Sequence, residues 1–119
     1  MKYFMQTIPD PSDTPPTPEL FEEMGRFVQE GFTDGSLVAT GGLDPRKTYI
    51  SHHGADFTVT DGPFTEAKEA VVGWAIVEVA SHDEAIELSK RFWRIVGDGR
   101  GTIQRVYDPG EVPTDAAGA

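Results

Sequence analysis

The stretch A-V-V-G-W-A-I-V-E-V-A, residues 70–80, decides the fold. Its β-branched, small and aromatic residues are typical of a strand. The odd-numbered positions are small or branched and suit packing beneath helices. The even-numbered positions Val72, Trp74 and Ile76 are apolar and bulky as well. We therefore expect both faces of this strand to be covered.

One helix is predicted before this strand in the sequence and one after it. The first begins with Thr17 as N-cap and Pro18 at the first helical position, carries its apolar residues on one face, and ends at Gly35. The second begins at Ser81 with the capping-box pattern Ser-x-x-Glu and ends at Gly97. Each helix therefore has one apolar face to pack against a sheet.

Five further strands complete the pattern, at residues 1–8, 36–40, 48–52, 56–60 and 102–107. The glycine pair 41–42 is expected to end the second strand, and residues 97–101 are expected to form a glycine-rich loop. The order is strand, helix, strand, hairpin, strand, helix, strand. It predicts an α+β protein with a ferredoxin-like split βαβ arrangement, in which an antiparallel sheet carries both helices on one face.

Two helices cover only one face of such a sheet, and the other face carries the Trp74 side of the strand. A second copy of the chain, packed sheet against sheet, is the simplest cover for it. The sequence therefore predicts a homodimer, with a small-molecule cleft between or beside the two sheets.

Composition excludes several classes of function. The chain has 119 residues, enough for one domain, and 20 acidic against 10 basic residues give a net charge of −10. This charge repels phosphate backbones and anionic lipid, so no nucleic-acid or membrane partner is expected. With no cysteine there are no disulfides, thiol nucleophiles or thiolate metal sites. No secretory signal is visible, so a cytoplasmic location is expected.

The stretch Asp61-Gly62-Pro63-Phe64, followed by T-E-A-K-E at 65–69, resembles the DGPF signature of the YCII-related (YciI-like) proteins. Residues 1–3, 34–35, 41–43 and 103–107 align with that family as well. The resemblance covers residues 1–108 as one domain and leaves residues 109–119 as a flexible C-terminal tail.

The resemblance implies a dimeric α+β barrel built from ferredoxin-like subunits. Some relatives are thought to use a histidine of the first helix with an aspartate in a dehydrochlorinase-like or lyase-like role. Others are fused to, or encoded beside, extracytoplasmic-function sigma factors. The first helix of this chain has no histidine, and Met24 lies at about the position where those relatives carry it.

Asp61 is the leading catalytic candidate, because it follows a strand and lies in a turn that Gly62 and Pro63 preorganise. There it could act as a general base, the alternative being an Asx turn. Lys68 or His52 would be its helper. For Lys68 the alternative is a solvated ion pair with a neighbouring glutamate.

No metal and no cofactor are predicted. His52 and His53 are neighbours on a strand and point to opposite faces, so they cannot both bind one ion. The substrate-binding candidates are Tyr3, Phe64, Glu69 and Trp74, and for Tyr3 and Trp74 the alternative is a place in the core.

Two functions remain open at this point. One is a homodimeric enzyme without cofactor, with lyase-type or isomerase-type acid–base chemistry at Asp61. The other is a non-catalytic module that binds a ligand or a protein partner, linked to sigma-factor regulation as the resemblance suggests.

Overall fold

The computed structural model describes residues 1–11, 15–44, 46–62 and 72–111. Its helices and strands, in chain order, are β1 (Lys2–Ile8), α1 (Pro18–Asp34), β2 (Leu37–Leu43), β3 (Thr48–His53), β4 (Asp56–Asp61), β5 (Val72–Glu78), α2 (His82–Val96) and β6 (Arg100–Val106).

Four strands form one antiparallel sheet in the order β2-β5-β1-β6. β1 lies between β5 and β6, and β5 separates β1 from β2. The hairpin strands β3 and β4 form a two-stranded sheet of their own. The chain is thus an α+β protein with the strand order of a ferredoxin-like fold, as the element order predicted.

The local capping signals of both helices are confirmed. The Thr17 hydroxyl accepts a hydrogen bond from the Leu20 N–H at 3.1 Å, and Gly35 ends α1 with a φ of 84°. The Ser81 hydroxyl accepts from the Glu84 N–H at 3.2 Å. The Glu84 carboxylate accepts from the N–H of Ala80 at 2.8 Å, one residue earlier than a capping box prescribes.

The core lies between the sheet and the helices. Tyr3 and Val77 from the central strands are buried there with Ala85 of α2. Odd-numbered residues of β1 and β5 therefore face the helices, and even-numbered residues face away. On that other face the rings of Phe4 and Trp74 stack with centroids 6.3 Å apart.

The prediction that the glycine pair 41–42 ends the second strand was wrong. β2 continues to Leu43, and Gly41 pairs with Trp74 across the ladder. A Cβ added at Gly41 would lie 3.1 Å from the indole of Trp74. The glycine is present because the indole ring lies over the backbone there, not because the strand stops.

The predicted glycine-rich loop 97–101 also ends earlier than expected. β6 begins at Arg100, and Gly101 pairs with Thr7 of β1. The hairpin strands each run one residue further than predicted, to His53 and to Asp61. The central strand is shorter and ends at Glu78; the predicted residues 70–71 lie outside the described part of the chain.

The hairpin of β3 and β4 has one apolar face. Ile50 pairs with Val59, and the imidazole of His52 stacks on the Phe57 ring at 4.2 Å. Ile50, Phe57 and Val59 are 69%, 69% and 66% exposed. No other described segment of the chain covers this face.

Replacing Gly41 with valine should lower the free energy of unfolding by about 1–3 kcal/mol, because the new side chain must displace the Trp74 indole. Chemical denaturation followed by tryptophan fluorescence measures the change. The control is Gly25→Ala in α1, where a Cβ meets nothing within 4 Å. That substitution should stabilise the protein by up to about 1 kcal/mol. Equal stability of Gly41→Val and wild type would show that the ring is not held against Gly41.

Candidate functional site

A cavity of about 470 Å³ lies between the two helices and the sheet. This volume falls within the range of small-molecule sites in proteins. Most of its wall is apolar. The large apolar side chains that line it are Met5, Phe21, Met24, Phe27, Val28, Leu37, Val77, Leu88, Phe92, Trp93 and Val96.

The cavity exists because the sheet presents small residues opposite large helix residues. Gly73, Ala75 and Gly101 line its floor, and none of them reaches far towards the helices. The aromatic side chains of α1 and α2 form the roof. Gln6 and Trp74 line the floor as well. Their side chains face away from the helices, but their main chain is uncovered there because the neighbouring residues 73 and 101 are glycines.

The polar groups of the floor serve the main chain. The Thr7 hydroxyl accepts a hydrogen bond from the Gly73 N–H at 2.9 Å. The Thr40 hydroxyl donates to the Trp74 carbonyl at 2.8 Å. Both threonines line the cavity. The floor is therefore neutral, and its hydroxyl groups compensate backbone groups of the sheet.

Among the described residues, the charged ones that line the cavity are Glu30, Asp34 and Arg91. They lie where α1 and α2 approach each other, a region we call the mouth. A guanidinium N–H of Arg91 donates to the Glu30 carboxylate at 3.5 Å. The same guanidinium lies over the Phe27 ring, 5.2 Å from its centroid. Hydrogen bonds from Ser36, and to a lesser degree the charge of Arg91, hold the pKa of Asp34 below its usual value.

The predicted catalytic pair lies on the hairpin instead. Asp61 is exposed at the end of β4 and accepts a hydrogen bond from the Thr48 hydroxyl at 2.9 Å. His52 lies on the same hairpin face, four residues from Thr48, which corresponds to roughly 13 Å along a strand. The two side chains are therefore too far apart for a direct hydrogen bond, and neither lines the cavity.

Gly62 of the D-G-P-F stretch is buried, and the structure gives a reason for its identity. Its N–H donates to the Lys47 carbonyl at 2.6 Å. An added Cβ would lie 2.7 Å from the Tyr49 ring. This glycine closes the base of the hairpin. The remaining predicted site residues Phe64, Lys68 and Glu69 lie outside the described residues.

The two aromatic substrate-binding candidates among the described residues have different surroundings. Tyr3 is buried in the core, with its ring 5.6 Å from that of His82 and 5.9 Å from the Arg105 guanidinium. Trp74 is half-buried, stacks on Phe4 and lines the cavity. Only the main chain of Trp74 borders the cavity, since its indole lies with Phe4 on the face of the sheet away from the helices.

Sequence reasoning missed the aromatic roof, because Phe27 and Trp93 fit the apolar helix stripes of an ordinary core. The sequence did contain one indication of the cavity. Large residues on both helix faces are opposed by the small residues Gly73 and Ala75 on the central strand. Such faces cannot fill the space between them at the density usual for protein interiors.

Among the described residues, no three histidine or acidic side chains are grouped as metal ligands would be. Neither described helix is long and apolar enough to span a bilayer.

Comparison with known proteins agrees with this architecture. The uncharacterised protein R00369 of Rhizobium meliloti (strain 1021) is 30% identical over 69 residues, and the match covers 55% of this chain and 55% of that protein. Residues 1–104 match the YCII-related domain. Because this match takes in both helices, the hairpin and most of the sheet, the chain belongs to the family of YCII-related domain proteins.

Proposed function

We propose that this YCII-related protein binds a small, largely apolar molecule in the helix–sheet cavity. The observation that carries the proposal is the cavity itself, about 470 Å³ with a mostly apolar wall. Protein interiors are packed as densely as organic crystals and contain few voids larger than a water molecule. A mostly apolar space of this size between helices and a sheet is typical of a small-molecule site.

The proposed function is ligand binding, without a catalytic step. Aromatic and aliphatic side chains provide contact area, and the neutral hydroxyl groups of Thr7 and Thr40 lie on the floor. Pockets that combine an apolar wall with a few fixed polar groups are typical of ligand sites. This use of the fold needs no cofactor. The alternative within the same proposal is a partner-binding role linked to sigma-factor regulation.

We also propose a homodimer that buries the Trp74 face of the sheet, as in a dimeric α+β barrel. Phe4, Trp74 and Ile76 lie on the face that no described helix covers. The exposed apolar face of the hairpin adds surface that a second copy would cover. Burial of one such side chain contributes roughly 1.5–3 kcal/mol, enough for several to offset the entropy of association.

Acid–base chemistry at Asp61 is the second candidate function. Its carboxylate is open to solvent and is oriented by the Thr48 hydroxyl, which leaves it accessible to a substrate.

The D-G-P-F stretch supports placing the chain in the DGPF subgroup of its family.

Titration with the uncharged fluorophore N-phenyl-1-naphthylamine tests the cavity. Wild-type protein should bind one molecule per chain with a rise in fluorescence. Ala75→Leu fills the floor and should weaken binding at least about tenfold, or about 1.4 kcal/mol. The matched control is Ala80→Leu, the same change at an exposed position that does not line the cavity. Equal affinity of both variants would show that the probe binds elsewhere.

Light scattering at micromolar concentration tests the dimer, which should have twice the monomer mass of 13.0 kDa. Trp74→Glu should give monomers, since a charge on that face cannot be buried. Phe57→Glu should weaken the dimer as well, and because Phe57 is 69% exposed in a single chain we expect the fold to persist. Thr58→Glu, on the opposite hairpin face, is the control and should stay dimeric. A wild-type monomer, or a dimer that survives Trp74→Glu, contradicts the proposed interface.

Asp61→Asn tests the second candidate. Asparagine keeps an oxygen for the Thr48 hydroxyl, so the hairpin should persist while general-base capacity is lost. Turnover of a substrate found by activity screening should fall at least about 100-fold. Asp56→Asn, at the other end of β4, is the control and should keep full activity. An unchanged rate in Asp61→Asn removes this carboxylate from the mechanism.

A further inference from the structure

The mouth of the cavity carries more negative than positive charge. Arg91 is the one cationic side chain among the described residues that line the cavity, and Glu30 and Asp34 are the two anionic ones. Their sum is one negative charge, on a chain that carries −10 in total. A ligand in the cavity therefore meets no surplus of positive charge.

Arg91 is also occupied by its neighbours. It donates to Glu30 at 3.5 Å, its plane covers the Phe27 ring, and its charge contributes to the lowered pKa of Asp34. A ligand carboxylate or sulfonate could bind Arg91 only in competition with the carboxylates of Glu30 and Asp34. An anion in the apolar interior would also lose its hydration without compensation.

The roof fits flat aromatic rings. Phe92 and Trp93 lie edge to face at 5.1 Å, and Phe27 faces the same space from α1. Such rings offer both faces and edges to an aromatic ligand. The thioethers of Met5 and Met24, which also line the cavity, adapt to an irregular outline and contact aromatic rings favourably.

We propose that the Glu30–Arg91 pair sets the charge selectivity of the cavity, which admits uncharged aromatic molecules and rejects anionic ones. This inference rests on the proposed function, since it assigns a ligand class to the same cavity. Glu30 is the specificity-determining residue. Its carboxylate neutralises the one cation that would otherwise attract an anion.

Two probes with the same ring system test the inference directly. N-phenyl-1-naphthylamine is uncharged, and 1-anilinonaphthalene-8-sulfonate adds a sulfonate to the same skeleton. Wild-type protein should bind the uncharged probe at least about tenfold more tightly. The preference should shrink as salt is added, since the side chains of Glu30 and Arg91 are 67% and 53% exposed and their field is screened.

Glu30→Gln is the decisive variant. It leaves Arg91 opposite one carboxylate instead of two, so sulfonate binding should tighten roughly two- to fivefold. Binding of the uncharged probe should change less than binding of the sulfonate, because it carries no charge for the altered field to act on. Glu23→Gln is the matched control, because it makes the same change in total charge on the same helix at a residue that does not line the cavity. It should alter neither affinity.

The possible outcomes distinguish the charge selectivity from the proposed binding function on which it rests. If the uncharged probe does not bind in the cavity, the proposed function and the inference both fall. If both probes bind wild type equally, the cavity stands and its charge selectivity is wrong. If Glu30→Gln and Glu23→Gln raise sulfonate binding equally, the effect belongs to the total charge and the role given to Glu30 is overturned.

Discussion

The antiparallel ladder between β1 and β5 is the constraint on which the rest of the structure depends. β2 joins the sheet beyond β5, and β6 joins it beyond β1. Each helix therefore connects two parallel strands that have one strand between them. Since such crossovers are almost always right-handed, both helices come to lie on the same face. The ladder thus determines where the cavity is and which face stays uncovered.

Helix boundaries could be predicted because their causes are local. Thr17 and Ser81 cap helices by bonds to residues three positions away, so the sequence around them is sufficient. The ends of β2 and β6 could not be predicted this way. Gly41 lies beneath an indole that comes from another strand, and a Cβ added at Gly101 would lie 2.5 Å from the Gln6 carbonyl oxygen of β1. In both cases a tertiary contact accounts for a glycine that looks like a strand end.

In the candidate site, too, features with local causes could be predicted and features with tertiary causes could not. The turn at Asp61 and Gly62 is visible in the sequence because its residues are adjacent, and the structure explains the glycine by the ring of Tyr49. The cavity is assembled from both helices and all four strands of the sheet. No short motif encodes it. Only a comparison of side-chain volumes across the helix–sheet interface could have indicated that Phe27 and Trp93 line a cavity.

The pairing of β1 with β6 determines when the sheet can be completed. Lys2 lies opposite Val106 in this ladder, so β1 is synthesised about 100 residues before the strand it pairs with. At ribosomal rates of 5–20 residues per second, the wait is about 5–20 s. During that time β1 lacks a neighbour on at least one edge. The nascent chain thus exposes an unsatisfied strand edge for seconds, which is the condition under which chaperones engage emerging polypeptides.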